Sequence, residues 1–327
     1  EGGIKDIEKI LAAAHQAKAT WRSSTASRRA KILERCADLI LEHRALLISL
    51  LVREAGKTLV NAQQEWREAI DFCRYYAAQA RTNWPQDTPK PLGLVIAISP
   101  WNFPLAIFVG QIAAALAAGN VVIAKPAAET PLCAYWATKL FLEAGIPRDA
   151  LQFIPGSTAV GAALTLDPRC DGVLFTGSLA SAQQIQAALA PHQVLIAETG
   201  GVNAMIVDST ALTEQVVVDV LQSAFDSAGQ RCSALRVLYL QAPIAAQTLR
   251  QIKLAMHELT IGNPNQLNID LGPLISAAAK AKVLAAIDRY RKESKPIFSA
   301  QTDLSAAGHF VAPTLIELDS KDPLPDE

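Results

Sequence analysis

Short, mostly apolar runs alternate with longer helical patterns along the chain beyond residue 92. Each run has four or five residues, which suits strands that are buried on both faces of a parallel sheet. The predicted strands are Leu94–Ile98, Val121–Ala124, Leu151–Ile154, Val173–Thr176, Val194–Ala197, Ala204–Val207 and Arg236–Leu240. The helical patterns between them include Leu105–Ala118, Pro131–Ala144 and Leu212–Ser227. This alternation predicts an α/β fold, with a doubly wound parallel sheet and a second α/β segment after it.

Apolar residues at helical spacing predict three helices before the first strand. Their apolar stripes run from Ile7 to Trp21, from Ile32 to Leu50 and from Trp66 to Ala77. Gly56 is predicted to end the second helix. Beyond the last of the seven strands, the pattern predicts helices at Ala245–Leu259 and Ala277–Ser294 and a further strand at Phe310–Ile316.

Residues 91–124 contain no charged residue, and this stretch is longer than the roughly 20 apolar residues that span a membrane. Pro100, Pro104 and the pair Gly119–Asn120 divide it, however, into a strand, a helix and a second strand. We therefore interpret the stretch as a buried βαβ unit.

The composition is that of a globular protein, with 50% hydrophobic residues, 19% charged residues and a net charge of −1. Because there is no basic block, neither nucleic acid nor an anionic membrane is expected as a partner. Five cysteines without a CxxC pair and five scattered histidines predict neither a disulfide framework nor a metal site. With charged first residues instead of a signal peptide, these features favour a cytoplasmic location. The absence of an initiator Met suggests a fragment or an excised domain.

Polar or glycine-containing turns directly follow five of the predicted strands. These turns are Ser99–Asn102, Lys125–Pro126, Pro155–Gly156, Thr176–Ser178 and Glu198–Gly201. The carboxyl ends of parallel strands meet at one edge of a sheet, where ligands bind in such folds, so the turns predict a cofactor cleft. The sequence has no GxGxxG motif. A phosphate could bind at Gly177 and Ser178, although Gly-Ser is also an ordinary helix N-cap.

A single cysteine, Cys232, lies in the segment FDSAGQRCSA (225–234), between a helical pattern and a strand. Gly229, three residues earlier, would let the backbone approach a bound molecule closely. The neighbouring Arg231 favours the thiolate form of a group whose unperturbed pKa is about 8.5. These features indicate a nucleophile, while the alternative is a small buried residue, as most free cysteines are.

Four motifs occur in the order SPWNFP (99–104), FTGS (175–178), ETGG (198–201) and GQRCSA (229–234). With them the chain resembles the aldehyde dehydrogenase superfamily over essentially its whole length. Within that superfamily it looks most like glutamate-γ-semialdehyde (pyrroline-5-carboxylate) dehydrogenases, and in particular like the dehydrogenase domain of the bifunctional proline utilization A enzymes. The finer resemblance is carried by REAGKT (53–58), REAIDFCRYYA (67–77), FDSAGQRCSALRV (225–237) and APTLIELD (312–319).

The resemblance implies three catalytic residues. Cys232 matches the nucleophile, which attacks the aldehyde carbon as a thiolate and later leaves from a thioester. Asn102 matches the oxyanion-hole amide, which acts with the backbone N–H of Cys232. Glu198 matches the general base that activates water. Without the other motifs, Glu198 would be interpreted as a carboxylate at a helix N-terminus or as part of an ion pair.

The resemblance also implies NAD as the cofactor and a carboxylate-bearing aldehyde as the substrate. Lys125 matches the contact to the adenosine ribose, and Gly177 with Ser178 matches the turn beneath the pyrophosphate. The cofactor-binding positions so implied are Ser99, Pro100, Trp101, Lys125, Gly177, Ser178 and Gly200. The substrate-binding positions are Ser233, Phe103, Glu68 and Arg231. Residues 1–201 are expected to form the N-terminal helices and the dinucleotide-binding domain, and residues 202–327 a truncated catalytic domain.

The chain departs from the family pattern in three places. Ala128 stands where the family has a cofactor-binding carboxylate and Glu129 follows it, so NADP remains an alternative to NAD. The chain is shorter than expected between Ser178 and Ile196. The ExFGP motif, which is expected soon after Glu327, does not occur. The C-terminal part of the family fold, with its substrate-anchoring loop and oligomerisation strand, is therefore expected to be missing.

The implied function is the NAD(P)-dependent oxidation of L-glutamate γ-semialdehyde to L-glutamate, the second step of proline catabolism. The implied partners are the small-molecule aldehyde, a fused or associated flavin-dependent proline dehydrogenase, and further copies of the complete protein in a homo-oligomer. Three alternatives stay open. They are a non-catalytic remnant that binds nucleotide, a dehydrogenase of another semialdehyde, and a thiol esterase that uses Cys232 and Glu198.

Overall fold

The computed structural model describes residues 2–82, 90–300, 308–319 and 321–323. The chain divides into two compact units. The first unit comprises Glu1–Ala55 and Ala62–Thr199, and the second comprises Gly56–Asn61 and Gly200–Glu327. The short segment Gly56–Asn61 thus belongs to the second unit, although its neighbours in sequence belong to the first. The predicted assignment of residues 1–201 to nucleotide binding and of residues 202–327 to catalysis stays a prediction.

Four helices precede the first described strand, one more than predicted: α1 Gly2–Arg22, α2 Ala26–Glu42, α3 Arg44–Ala55 and α4 Leu59–Thr82. The prediction of one helix through residues 32–50 is wrong. α2 ends at Glu42, and His43 follows as its C-cap, with a backbone N–H that bonds to the carbonyl oxygen of Leu39 at 3.0 Å. The apolar spacing continues across this break, so periodicity alone does not detect it. Gly56 follows α3 with a φ of 67°, which confirms its predicted place at the end of that helix.

The first unit contains a five-stranded sheet in the order β3-β2-β1-β4-β5, in which every neighbouring pair is parallel. Its strands are β1 Leu94–Ile98, β2 Val121–Lys125, β3 Leu151–Phe153, β4 Gly172–Gly177 and β5 Val194–Thr199. The helices between them are α5 Ala106–Ala117, α6 Pro131–Glu143, α7 Thr158–Thr165 and α8 Leu179–Ala188. The predicted α/β class and parallel sheet are confirmed.

The charge-free stretch forms β1, the largely buried helix α5 and β2, as the βαβ interpretation predicted. Within the described ranges, no helix combines the length and the hydropathy that a bilayer span requires.

In the second unit, β6 Asn203–Val207 and β7 Leu235–Leu240 pair in parallel and form a two-stranded sheet. The other elements are α9 Thr213–Phe225, a 3₁₀ turn Asp226–Gly229, α10 Ala242–Glu258, α11 Ala277–Lys292 and the antiparallel pair β8 Ile297–Ser299 and β9 Thr314–Ile316. Its core contains Val207, Val216, Val220, Leu235, Ile252 and Met256.

The strand predicted at Phe310–Ile316 is too long, because only its last three residues pair with β8. Pro313 directly precedes the pairing residues and has no N–H to donate, although its carbonyl oxygen accepts the N–H of Ala300 at 3.0 Å. β8 itself has three residues and was not predicted, since so short a segment carries little periodic signal.

Candidate active site

The carboxyl ends of β1, β2, β4 and β5 lie along one edge of the sheet. The register pairs Ile98 with Lys125 on one side and with Phe175 on the other, and it pairs Thr176 with Glu198. Lys125 and Glu198 therefore occur at this edge because neighbouring parallel strands end together. The edge is where the sequence predicted a cofactor cleft.

A hydrogen-bonded chain of side chains connects β1, α5 and β4 at this edge. The hydroxyl of Ser99 donates to Oε1 of Gln111 at 2.6 Å, and Nε2 of Gln111 donates to Oγ1 of Thr176 at 3.0 Å. Gln111 was not among the predicted site residues. Its signal in the sequence is that it is the one polar side chain in the apolar helix α5. This arrangement fixes the Ser99 hydroxyl at the start of the turn that follows β1.

Lys125 is buried at the end of β2 and donates from Nζ to the carbonyl oxygen of Pro126 at 3.0 Å. Burial lowers the pKa of Lys125, while the negative charge of Glu129 opposes that shift. A carboxylate thus acts on this ammonium group from position 129, one residue after Ala128. The predicted contact between Lys125 and a ribose stays a prediction.

Gly177 ends β4 and Ser178 caps the N-terminus of α8. The Ser178 hydroxyl accepts the N–H of Ser181 at 3.2 Å and contacts the Ser181 hydroxyl at 2.9 Å. A side chain at position 177 would clash, because a Cβ there would lie 2.6 Å from Cζ of Phe175. The glycine therefore leaves room for the Phe175 ring next to the start of α8. Both roles that the sequence assigned to this turn, N-cap and phosphate site, remain compatible with it, and the cap is the one that the structure confirms.

The turn between β1 and α5 holds Pro100, Trp101, Asn102 and Phe103, which are all partly buried. Glu198 lies on β5 and is exposed. Gly200 follows β5, and Glu68 lies on the exposed side of α4. Of the implied site residues in the first unit, Glu68 is thus the one that the sheet edge does not position.

Glu65 is a residue near this turn that the sequence analysis missed. It is buried on α4, and its Oε1 accepts the backbone N–H groups of Leu105 (2.8 Å) and Ala106 (3.1 Å) at the start of α5. A carboxylate is stabilising at a helix N-terminus because it meets unpaired N–H groups and the positive end of the helix dipole. Glu65 therefore fixes the helix start that directly follows the Asn102 turn.

Cys232 lies in a loop that we call the Cys232 loop, residues 226–234. It is the only exposed cysteine of the five, and the other four are buried. The backbone before it is left-handed at three consecutive residues: Ser227 (φ 55°), Ala228 (φ 55°) and Gly229 (φ 71°). Such conformations are unfavourable for non-glycine residues and occur mainly at functional sites. The alternative interpretation of Cys232 as a buried residue is wrong.

Side chains of the second unit hold the first half of the Cys232 loop. Oδ1 of Asn61 accepts from the hydroxyl of Ser227 at 2.6 Å and from Nη2 of Arg231 at 2.7 Å. The Arg231 guanidinium also lies 3.5 Å from a carboxylate oxygen of Asp226. Burial raises the pKa of Asp226, and the charge of Arg231 opposes the shift. The structure thus gives Arg231 an anchoring role, while its implied roles toward thiolate and substrate stay predictions.

Gln230 anchors the same loop from a different side. Its Oε1 accepts the N–H of Ile275 at 2.9 Å, and its Nε2 donates to the carbonyl oxygens of Ser227 (3.0 Å) and Pro273 (3.4 Å). Ser233 is exposed directly after Cys232. The GQRCSA motif is therefore organised by its own polar side chains.

The implied catalytic residues are divided between the two units, with Asn102 and Glu198 in the first and Cys232 in the second. Their mutual roles stay predictions. Among the residues that the structure describes, no group of three or more His, Cys, Asp or Glu side chains could hold a metal ion.

Comparison with known proteins gives consistent matches over the whole chain. The protein-family model described as "Aldehyde dehydrogenase family" matches residues 1–327. The bifunctional protein PutA from Escherichia coli is 52% identical over 98% of this chain and 25% of its own length. A crystal structure of a PutA mutant from Bradyrhizobium japonicum is 46% identical with a TM-score of 0.92, covering 96% of this chain and 34% of that one.

A third similar protein is smaller. The 1-pyrroline-5-carboxylate dehydrogenase from Thermus, whose structure contains bound NAD, is 35% identical with a TM-score of 0.89. The match covers 96% of this chain and 64% of that one. The chain thus spans about a quarter of the curated PutA relative and somewhat under two thirds of the Thermus enzyme.

Proposed function

Because the chain belongs to the aldehyde dehydrogenase family, we propose that it supplies the catalytic cysteine for oxidation of L-glutamate γ-semialdehyde to L-glutamate. The observation that carries the proposal is the thiol of Cys232, exposed on a loop that several side chains anchor. The substrate is supported by the names of the relatives, which are PutA and 1-pyrroline-5-carboxylate dehydrogenase.

The Cys232 thiolate attacks the aldehyde carbon and forms a thiohemiacetal. The former carbonyl oxygen then carries negative charge, which the side-chain N–H of Asn102 and the backbone N–H of Cys232 stabilise. One such donor contributes about 3–4 kcal/mol to the transition state. A thiolate suits this role because it is both a strong nucleophile and a good leaving group.

The residues at the sheet edge fit NAD. The buried amine of Lys125 can donate to a ribose hydroxyl, and the N–H groups in the first turn of α8, which directly follows Gly177 and Ser178, suit a pyrophosphate. NAD supplies a hydride acceptor when it is bound. Ser99, Pro100, Trp101, Ser178 and Gly200 complete the proposed cofactor-binding set, with NADP as the alternative dinucleotide.

Transfer of a hydride from the thiohemiacetal carbon to bound NAD would leave a thioester on Cys232. Glu198 then takes a proton from the water that attacks the thioester carbon, and the C–S bond breaks to release L-glutamate and the thiolate. The hydroxyl of Ser233 holds the substrate carboxylate. Phe103, Glu68 and Arg231 complete the proposed substrate contacts.

The proposal extends to partners and to domain roles. A flavin-dependent proline dehydrogenase, fused or associated, would deliver the semialdehyde, and the complete protein would form a homo-oligomer. Residues 1–201 would bind the dinucleotide and residues 202–327 would carry the chemistry. The bifunctional character of PutA, to which the chain is similar over 98% of its length, supports the first of these points.

The direct test is NADH formation by this chain with glutamate γ-semialdehyde and NAD, followed by absorbance. We expect Cys232→Ala to abolish NADH formation, because no other exposed thiol can replace it. Cys133→Ala, which removes a buried thiol from α6, is the matched control and should retain the rate. Glu198→Gln should leave a first turnover and slow the later ones, because thioester hydrolysis then limits the rate.

NADH formation by Cys232→Ala at the rate of the unsubstituted chain would refute the mechanism. A chain that binds NAD but forms no NADH, even at high protein concentration, would favour the non-catalytic alternative. Oxidation of a simple aliphatic aldehyde in preference to the glutamate semialdehyde would favour a different substrate.

A further inference from the structure

Asn203, the first residue of β6, bonds to the backbone on both sides of Ser233. Its side-chain Nδ2 donates to the carbonyl oxygen of Cys232 at 2.7 Å and to that of Ala234 at 3.0 Å. An amide NH₂ group has two hydrogens, so one side chain occupies both carbonyl groups. Ser233 lies between the two bonded residues.

With one further hydrogen bond, these contacts hold both of the peptide groups that flank the Cα atom of Cys232. The peptide before Cys232 is held because the N–H of Ala234 donates to the carbonyl oxygen of Arg231 at 3.1 Å. The peptide after Cys232 is held by Asn203. With both peptide planes fixed, φ and ψ of Cys232 are fixed too, and with them the direction of its Cα–Cβ bond and of its backbone N–H.

The β6–β7 ladder does not provide this support itself. Asn203 pairs with Leu235 and Ala204 with Val237, so the register shifts at the first residue of β6 and Arg236 is the extra residue. The backbone pairing thus begins only after Ala234. Residues 232–234 lie before this pairing, and the side chain of Asn203 attaches them to β6 through its two hydrogen bonds.

We propose that Asn203 is a positioning residue for the nucleophile: its amide holds the Cys232–Ala234 backbone so that the Cys232 N–H points at the oxyanion that the thiolate creates. This inference rests on the proposed role of Cys232. It predicts that loss of the amide impairs reactions that pass through an oxyanion more than reactions of the thiol that do not.

Two reagents separate these effects on the same sulfur. p-Nitrophenyl acetate acylates the thiolate through a tetrahedral oxyanion and expels p-nitrophenolate, whereas iodoacetamide alkylates it by displacing iodide without an oxyanion. Both rate constants scale with the thiolate fraction, so their ratio cancels a change in thiol pKa. Neither reagent needs NAD. The measurement is therefore independent of dehydrogenase activity. Intact mass counts the modifications per chain, and peptide mass mapping tests whether both lie on Cys232.

The variants are Asn203→Ala, which removes the amide, and Asn203→Asp, which keeps its shape and removes both donors. We expect each to lower the ratio of acylation to alkylation by about 10- to 100-fold, as misplacement of a reacting group does. Asn120→Ala is the control. The side chain of Asn120 also forms two hydrogen bonds to the backbone: it accepts the N–H of Gly93 at 3.0 Å and donates to the carbonyl oxygen of Ala115 at 3.1 Å. Asn120 directly precedes β2, at the end of that strand that lies away from Lys125. Its ratio should be unchanged.

An unchanged ratio in both Asn203 variants would overturn the inference. This holds also when acylation and alkylation both become slower by the same factor, because a purely structural role slows both. Failure of both variants to fold, while Asn120→Ala folds, would also overturn it in favour of a structural role. If the unsubstituted chain is acylated but forms no NADH, the proposed function fails and the ratio still decides the role of Asn203.

Discussion

Glu65 offers a test of how the Asn102 turn is supported from a neighbouring helix. Its buried carboxylate accepts the N–H groups of Leu105 and Ala106, and no turn of α5 precedes these groups to supply carbonyl partners. Glu65→Ala would leave both donors unsatisfied at a buried site. Each buried donor without a partner costs about 1–3 kcal/mol, so we expect the variant to lose about 2–6 kcal/mol of unfolding free energy.

Glu65→Gln separates the charge from the hydrogen bonds. Its side chain keeps an acceptor oxygen but loses the negative charge at the start of α5. A partly buried charge at a helix terminus contributes up to about 2 kcal/mol, so this variant should lose about 1–2 kcal/mol. Asp71→Asn, a carboxylate-to-amide change on the same helix, is the matched control, because Asp71 is exposed and forms an exposed ion pair with Arg67 at 3.5 Å. It should cost less than about 1 kcal/mol.

Urea unfolding followed by tryptophan fluorescence is a suitable assay. All five tryptophans of the chain lie between residues 21 and 136, within the sequence range of the first unit. The signal therefore follows the unit that contains Glu65 and α5. From the most to the least stable variant, the order should be Asp71→Asn, Glu65→Gln and Glu65→Ala. If Glu65→Ala is as stable as Asp71→Asn, the carboxylate does not support the helix start and the reasoning is wrong.

Two further predictions concern the acid side of the stability profile and the Cys232 loop. Three hydrogen bonds from Arg169 lower the pKa of Asp167, so the stability it adds is present above about pH 4 and lost as the pH falls through its folded pKa. The loss in unfolding free energy caused by Asp167→Asn should therefore be smaller at acidic than at neutral pH, and a loss independent of pH would contradict this. Gly229→Ala should lower stability by about 1–2 kcal/mol or more through its left-handed backbone, with a Cβ only 2.9 Å from the carbonyl oxygen of Ala224. Gly201→Ala, where a Cβ meets nothing within 4 Å, is the control, and equal losses would count against the argument.

The parallel sheet was predictable because burial on both faces leaves a direct trace in the sequence. In β1 and β2, almost every residue is buried, so the apolar runs and the strands coincide within a residue or two. The break at His43 was not predictable in this way. An apolar stripe records which side of a helix is buried, and that side continues from α2 into α3 although the backbone does not.

In the candidate site, too, some residues were predictable from the sequence and others were not. Parallel strands end at one edge, so turns after successive strands predict which side chains gather there, as the pairing of Thr176 with Glu198 illustrates. The supporting residues come from elsewhere. Glu65 bonds to residues 40 and 41 positions away, and Asn203 to a carbonyl 29 positions away. No local period or spacing records such contacts, so a sequence without a structure does not reveal them.

The Cys232 loop gives Gly229 a structural role in addition to the predicted one. The sequence suggested that Gly229 lets the backbone approach a ligand, whereas the structure places it third in a run of left-handed residues after Ser227 and Ala228. The two non-glycine residues together cost about 2–4 kcal/mol in this conformation. Hydrogen bonds to Asn61 and from Gln230 oppose that cost, at about 0.5–1.5 kcal/mol each. These two bonds offset part of the strain within the second unit itself, and they hold the loop that presents the thiol without the help of a ligand.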